Sequence, residues 1–129
     1  MVEVMRAERM RRGEIWLARL NPNVGAEAGK IRPVLIMLDN DLLATGMSPV
    51  VCIPLTSKLF KGMEGLRFAI APRDRLLKRC YLMPEQTRAL DLNRFGEGPL
   101  ATMTSQEMAE VERSLMGVLG LFHQVNPVH

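Results

Sequence analysis

Three short polar clusters carry the residue types that could act on a phosphodiester. Each borders an apolar run: residues 29–33 (Gly-Lys-Ile-Arg-Pro) precede 34–38, residues 56–58 (Thr-Ser-Lys) follow 50–55, and residues 85–88 (Glu-Gln-Thr-Arg) follow 81–83. An apolar run bounded by turn residues is typical of a buried strand. Arginine, lysine, hydroxyl and amide groups are the set that binds phosphate oxygens. The clusters therefore predict a phosphodiester site held at the ends of strands.

Arg32 is the central candidate of this set. Its planar guanidinium can grip two phosphate oxygens at once, and Pro33 biases the backbone of Arg32 toward an extended conformation that fixes the direction of the side chain. We expect Arg32 to stabilise the charge that develops on a reacting phosphate. The alternative is an arginine in an ordinary surface ion pair.

Hydroxyl and ammonium groups accompany Arg32 in the first two clusters. The hydroxyl of Thr56 could donate to a phosphate oxygen, and Ser57 could do the same. Alternation along a strand would send these two side chains to opposite faces, unless the strand has already ended. The alternative is a threonine and a serine that only close a turn. Lys30 and Lys58 are predicted phosphate contacts, with plain solvated charge as the alternative.

The third cluster offers groups for recognising a base. Gln86 has both a donor and an acceptor, as base recognition requires. Glu85 could accept a proton or pair with Lys58 or Arg88. Arg88 lies two residues after Gln86, so the two side chains would share one face of a strand. All three are predicted to bind substrate.

The supporting elements are mostly strands. Apolar runs and alternation predict strands over 14–20, 32–38, 49–55, 66–70, 80–83 and 86–90, with a long connection at 39–48 and a short helical turn at 72–78. Pro54 suggests an edge or a bulge near the end of its strand. About six short strands predict a mostly-β domain built as a small curled sheet or barrel.

One helix is predicted at the C-terminal end. Thr104 and Glu107 form a capping-box pattern. Apolar residues then recur at helical spacing, namely Met108, Val111, Leu115, Val118, Leu119 and Phe122. We expect this stripe to pack on the sheet, and a partner-binding stripe is the alternative.

Composition limits the class of protein. The 129 residues predict one domain over 12–122, with a flexible extension at 1–11 and a tail at 123–129. A hydrophobic content of 47% argues against disorder, and a net charge of +3 permits nucleic-acid binding without requiring it. No stretch approaches the length of a membrane helix, so we expect a soluble cytoplasmic protein without membrane contact.

The sequence gives no reason to expect a metal or another cofactor. Cys52 and Cys80 are best interpreted as two buried thiols rather than a disulfide. His123 and His129 lie outside every cluster, and the acidic residues are scattered. We therefore expect any chemistry here to need neither metal nor histidine.

The chain resembles the MazF/PemK family of toxin endoribonucleases at these same places. The resemblance runs from about Arg12 to Leu121 and has four parts in the family's order. They are the opening strand 12–16 (Arg-Gly-Glu-Ile-Trp), the loop 24–33 that ends in Gly-Lys-Ile-Arg-Pro, the segment 54–58 (Pro-Leu-Thr-Ser-Lys) and the segment 85–91 that begins with Glu-Gln.

The resemblance implies a fold and an activity. The fold would be an SH3-like small β-barrel of the MazF/CcdB type, with short helical turns and a C-terminal helix. The activity would be sequence-specific cleavage of single-stranded RNA, mainly mRNA, to 2′,3′-cyclic phosphate and 5′-hydroxyl ends. Arg32 and Thr56 match the catalytic residues, and the family gives the arginine a role in proton transfer. Guanidinium keeps its proton at neutral pH, so electrostatic stabilisation is the safer role. The expected partners are a second copy of the chain and a MazE-like antitoxin with a disordered inhibitory segment.

The chain departs from the family pattern near the substrate path. Glu27 is retained and is predicted to contact substrate. Ala26 and Ala28 replace the serine and glutamine that often flank this glutamate, which puts the sequence preference in doubt more than the reaction. Pro84 replaces an apolar residue and is expected to shift the end of its strand.

Two other functions remain open on the same fold. Related toxins poison DNA gyrase without cleaving RNA, but they do not need Arg32 and Thr56. A plain nucleic-acid-binding module would need exposed aromatic side chains. Most aromatic residues of this chain fall in predicted core positions.

Overall fold

A seven-stranded antiparallel sheet is the frame of the protein. The structure is a computed structural model, and it describes residues 10–20 and 30–122. The strands are β1 Glu14–Arg19, β2 Ile31–Ile36, β3 Val50–Thr56, β4 Phe68–Ile70, β5 Cys80–Leu82, β6 Arg88–Leu90 and β7 Ala101–Thr102. Their order is β4-β5-β3-β2-β1-β7, and β6 pairs with β3 outside this path. Helix α1 is Asn40–Ala44, helix α2 is Ser105–Val118, and 3-10 turns cover Glu64–Leu66, Pro84–Gln86 and Leu92–Arg94.

The three central strands are covered on both faces. One face carries Trp16, Val34 and Cys52 in a buried cluster that includes Leu43 of α1. The opposite face packs its own buried cluster against α2. A sheet covered on both sides explains why these strands have uninterrupted apolar runs. The expected mostly-strand, curled architecture with a C-terminal helix is confirmed.

Pro54 lies where β3 changes partners. Along one edge, β3 pairs with β6 at residues 50–52 and with β5 at residues 55–56. The carbonyl of Pro54 accepts a hydrogen bond from the Met83 amide at 3.0 Å on that edge. A proline has no amide hydrogen to donate there. The strand is therefore internal to the sheet, and the predicted edge or bulge is replaced by a gap between two partner strands.

Helix α2 begins with the predicted capping box. The Thr104 hydroxyl accepts from the Glu107 amide, and the Glu107 carboxylate accepts from the Thr104 amide. Arg73 also grips that carboxylate through two hydrogen bonds of 2.7 and 2.8 Å. Met108 and Val111 are buried against the sheet. The later residues of the predicted stripe are exposed, namely Val118, Leu119 and Phe122.

Three local predictions are wrong. The connection at 39–48 contains α1, whose N-cap Asp39 accepts from the Asp41 amide. Residues 72–78 form no helical turn, because Arg73 and Leu76 pair as an isolated bridge around Asp74, which has a positive φ of 50°.

The third error concerns the strand expected from residue 86. Pro84 opens a 3-10 turn through Gln86, and β6 starts only at Arg88. The flexible extension predicted for 1–11 also needs correction at its end, since Met10 is 1% exposed in the core. Residues 1–9 and the predicted tail at 123–129 lie outside the described residues.

The two cysteines are free and buried, as expected. Burial raises the pKa of the Cys52 thiol to about 12, and burial also raises the pKa of Cys80. In the described ranges we find no group of three or more metal-binding side chains. The helices in this part of the chain are too short or too polar to cross a membrane.

Candidate functional site

The start of β2 and the end of β3 bring Arg32 and Thr56 together. The two strands pair antiparallel, with Val34 opposite Pro54. Continuing this register by two residues sets Arg32 opposite Thr56, and opposite residues of an antiparallel pair share a face. The first two polar clusters therefore meet at one corner of the sheet, as the sequence predicted.

The backbone of β3 positions the Arg32 guanidinium. Its Nη1 donates to the carbonyl oxygen of Leu55 at 3.3 Å, one residue from Thr56. The arginines that form ion pairs within residues 10–20 and 30–122 are Arg12, Arg67, Arg73 and Arg75. Arg32 is not among them, so the alternative of a surface ion pair finds no support in this part of the chain. Among the described residues, no carboxylate forms an ion pair with Arg32, so its charge is available there to a ligand.

Thr56 is oriented by the residue two positions later. Its side chain is 5% exposed, and its hydroxyl oxygen accepts from the Lys58 amide at 3.2 Å. With this lone pair occupied, the hydroxyl hydrogen can point elsewhere and donate to an anion. Strand β3 ends at Thr56. Alternation therefore does not separate Ser57 from Thr56, and both residues line the same groove.

A cationic groove lies over this corner. Its volume is about 680 Å³, and its cations are Lys30, Arg32, Lys58, Arg75 and Lys78. The residues described along its wall include no aspartate or glutamate. Arg75 pairs with Glu97 at 3.1 Å, but both side chains are more than half exposed, so solvent weakens the pair. The groove is suited to a ligand with several negative charges.

The third polar cluster is not part of this groove. Glu85 forms an ion pair of 2.7 Å with Arg67 rather than with Lys58 or Arg88. Arg88 donates to the carbonyl of Leu20 at 3.1 Å. Gln86 is exposed on the 3-10 turn, so the shared strand face predicted for Gln86 and Arg88 is wrong.

Of the other residues predicted to contact substrate, some line the groove and one lies outside the described residues. Lys30, Ser57 and Lys58 line the groove with the two catalytic candidates. Glu27 and the departures at Ala26 and Ala28 lie outside the described residues.

Sequence reasoning missed one wall of the groove. Phe60 reaches it from the β3–β4 connection, while Arg75, Leu77 and Lys78 reach it from the β4–β5 connection. The density of basic residues between 73 and 79 was the available signal. These residues are remote in sequence from Arg32, and only the pairing of β5 with β3 brings their connection to the groove.

Known proteins share this sequence pattern and this fold. The chain is 34% identical to an endoribonuclease MazF of Staphylococcus saprophyticus over 113 residues, which are 87% of this chain and 92% of that protein. A crystal structure of MazE-MazF from Deinococcus radiodurans superposes with a TM-score of 0.70 at 22% identity, covering 87% of this chain and 96% of that one. An endoribonuclease in complex with its cognate antitoxin from a mycobacterial species superposes with a TM-score of 0.63 at 22% identity, covering 87% and 94%.

The family assignment rests on most of the chain. Residues 11–119 match the family described as PemK-like, MazF-like toxin of type II toxin-antitoxin system. The matched range contains the start of β2, the end of β3 and both connections that wall the groove. This chain belongs to the PemK-like, MazF-like family of toxins of type II toxin–antitoxin systems.

Proposed function

We propose that this toxin is an endoribonuclease that cuts single-stranded RNA, mainly mRNA, at a short sequence and without a metal ion. The observation that supports this most is that Arg32 and Thr56 line one groove together, beside the cations Lys30, Lys58, Arg75 and Lys78. The curated relative at 34% identity is named an endoribonuclease. Arrest of translation and growth would follow from the loss of mRNA.

The reaction proposed is an internal transfer at phosphorus. The 2′-hydroxyl of one nucleotide loses its proton and its oxygen bonds to the adjacent phosphorus as the bond to the 5′-oxygen breaks. The leaving 5′-oxygen takes up a proton, so the products are a 2′,3′-cyclic phosphate and a 5′-hydroxyl with no net change in protons. Negative charge grows on the two non-bridging oxygens during this step. Arg32 would donate to these oxygens, and a guanidinium is well suited because it stays charged at any physiological pH.

Thr56 would supply a second donor at the same phosphate. Its hydroxyl oxygen is already held by the Lys58 amide, so its orientation is fixed before substrate arrives. Donors fixed in advance stabilise a developing charge without reorganisation during the reaction. Lys30, Lys58 and Ser57 would then hold the flanking phosphates, because they line the same groove.

Single-stranded RNA is the substrate that the groove supports best. Sequence is readable in RNA mainly where the bases are unstacked. Apolar surface from Ile31 and Phe60 lies beside the cations, and both side chains are exposed. A gyrase poison would not need the arrangement of Arg32 and Thr56, so the groove favours cleavage over that alternative.

The proposed partners are a second copy of the chain and a MazE-like antitoxin. Solved structures of similar fold include a MazE-MazF complex and an endoribonuclease with its cognate antitoxin. A disordered acidic segment that folds on binding could cover a cationic groove of this size. The toxin and its inhibitor would act in the cytoplasm, where the RNA substrate of the toxin is located.

The test is cleavage of a long single-stranded RNA in EDTA, with the fragment ends mapped. We expect discrete cuts with 5′-hydroxyl ends from the wild type and no cuts from Arg32→Ala. Arg113→Ala is the matched control, because Arg113 is an exposed arginine of α2 that does not line the groove. Wild-type cutting by a folded Arg32→Ala protein would refute the site. Cleavage that appears only after magnesium is added would refute the metal-independent mechanism.

A further inference from the structure

One aromatic side chain of the groove is exposed. Trp16 and Phe95 are buried in the core. Phe60 instead is 60% exposed, and it lines the groove that contains Arg32 and Thr56. Its backbone is anchored, since its carbonyl accepts from the Met63 amide at 3.1 Å. An exposed phenylalanine in a defined turn is an unusual use of a residue that normally stabilises a core.

The surroundings of Phe60 indicate the chemistry of its ligand. Leu77, at 81% exposure, adds apolar surface to the same groove. Lys58, Arg75 and Lys78 add positive charge. A ligand that matches both features has flat apolar faces joined by anionic links. Single-stranded nucleic acid has this pattern, because its bases stack on aromatic rings while its phosphates follow the cations.

We propose that Phe60 stacks on a base next to the cleaved phosphate, and that this contact sets the position of the strand over Arg32 and Thr56. The proposal rests on the endoribonuclease function above and assigns part of its substrate recognition to the β3–β4 connection. Stacking accepts any base, so Phe60 determines where the strand lies rather than which base is read. Duplex RNA would be excluded, because its bases are not free to leave their stack.

Binding is measured apart from cleavage. The probe is a single-stranded RNA that spans the mapped cut site or, if no cut is found, a segment of mixed sequence from the same RNA. It carries 2′-O-methyl groups throughout, which removes the attacking hydroxyl. Fluorescence anisotropy gives its Kd with Phe60→Ala, Phe60→Leu, Phe60→Tyr and the wild type. Base–aromatic stacking predicts a Kd raised about 10-fold in Phe60→Ala. Tyrosine keeps the ring and should retain affinity, whereas leucine keeps apolar volume only and should not.

Leu42→Ala is the matched control for truncating an exposed apolar side chain. Leu42 lies on α1, is 42% exposed and does not line the groove. We expect its Kd to equal that of the wild type.

The position of the stacked base is found with abasic substitutions. Cleavable RNAs carry one abasic nucleotide at successive positions around the cut. At one position the wild type should lose about as much kcat/KM as Phe60→Ala loses on intact RNA. Phe60→Ala should lose nothing further there.

Two results overturn the proposal. One is an unchanged Kd in Phe60→Ala, which would indicate that Phe60 belongs to a protein-binding surface instead of the RNA-binding site. The other is that, at every abasic position, the loss of kcat/KM caused by the missing base adds in full to the loss caused by Phe60→Ala. A wild type that binds the methylated RNA through Phe60 but cuts no RNA would refute the endoribonuclease function and leave the stacking contact standing.

Discussion

At the scale of single residues, the Thr56 hydroxyl has a structural role in the fold and a chemical role in the proposed reaction. Its oxygen accepts from the Lys58 amide, and a hydroxyl that accepts one hydrogen bond can still donate its own hydrogen, here to the substrate that we propose. We predict that Thr56→Val, which keeps the shape, lowers kcat about 100-fold with a smaller effect on KM. Single-turnover cleavage measures this directly. Thr56→Ser is the control and should retain most of the activity.

The stability of the same variants separates the two roles. Thr56→Val leaves the Lys58 amide without its acceptor and should cost about 1 kcal/mol in the free energy of unfolding. A Thr56→Val protein that melts normally and cleaves at the wild-type rate would remove Thr56 from the chemistry.

The sequence predicted that Arg32 and Thr56 lie together, but it did not predict the residues that form one wall of their groove. Arg32 and Thr56 lie at the ends of apolar strands that the sequence marks clearly, so their meeting was predictable. Phe60, Arg75 and Lys78 come from connections between strands. Periodicity says nothing about where a connection folds, so these three residues could not be assigned to the groove in advance. The prediction for Gln86 was wrong for a related reason, because a 3-10 turn that begins at Pro84 replaces the start of the expected strand.

At the scale of elements, the start of α2 is fixed to the β4–β5 connection by charge. The hydrogen bonds from Arg73, followed by those at Thr104, lower the pKa of Glu107 to about 2 despite the opposing effect of burial. The carboxylate is therefore stabilised in its charged form in the folded protein. Arg73 belongs to the same connection as Arg75 and Lys78, so this ion pair supports one wall of the groove.

We predict that Glu107→Gln lowers the stability of the protein at pH 7 by about 1 kcal/mol, because glutamine keeps the capping box and loses the ion pair. The contribution of a carboxylate with a lowered pKa is full above its unfolded pKa of about 4.3 and is lost as the pH falls toward 2. The difference between variant and wild type should therefore shrink across this window. Urea unfolding at several pH values measures it.

Glu112→Gln is the control for the charge alone. Glu112 lies on the same helix as Glu107 and pairs with Arg12, which precedes β1, but 46% of the Glu112 side chain is exposed. We expect a smaller effect on stability from this substitution. Equal losses in the two variants at pH 7 would contradict a special role for the Arg73–Glu107 pair.

The sequence predicted helices and strands correctly where the hydrophobic pattern was long enough to show its period. The strands that form the centre of the sheet were found within about two residues of their bounds. The capped start of α2 was also found, but the predicted helical stripe continues to Phe122 whereas the helix ends at Val118. Helix α1 has five residues, too few to show helical periodicity, and it depends on the Asp39 cap and the burial of Leu43. The bridge at Arg73 and Leu76 was missed because it depends on a single residue, Asp74, with a positive φ.

At the scale of the whole molecule, the distribution of charge is more informative than the total. A net charge of +3 is modest, yet five cations line one groove. Each phosphate that a cation neutralises releases counterions, so RNA affinity should fall as salt rises. For single strands the slope of log Kd against log salt is about 0.7 per contact.

We predict that Lys78→Gln lowers this slope by about 0.7, because one groove contact is removed. Arg113→Gln removes the same charge from the outer side of α2 and should leave the slope unchanged. Anisotropy with a single-stranded RNA at a series of salt concentrations gives both values. Equal slopes for the two variants would mean that overall charge, rather than the groove, attracts the RNA.

The double covering of β1, β2 and β3 divides this protein into a part that resists change and a part that accepts it. Most side chains of the central strands are enclosed in one cluster or the other, so substitutions there disturb packing. Phe60, Leu77 and Lys78 lie outside the strands, where substitutions have little effect on stability. The residues that form the wall of the groove can therefore change while the corner that holds Arg32 and Thr56 stays in place. A designer who wants to change where the RNA strand lies and how tightly it binds can randomise these connections and leave the sheet untouched.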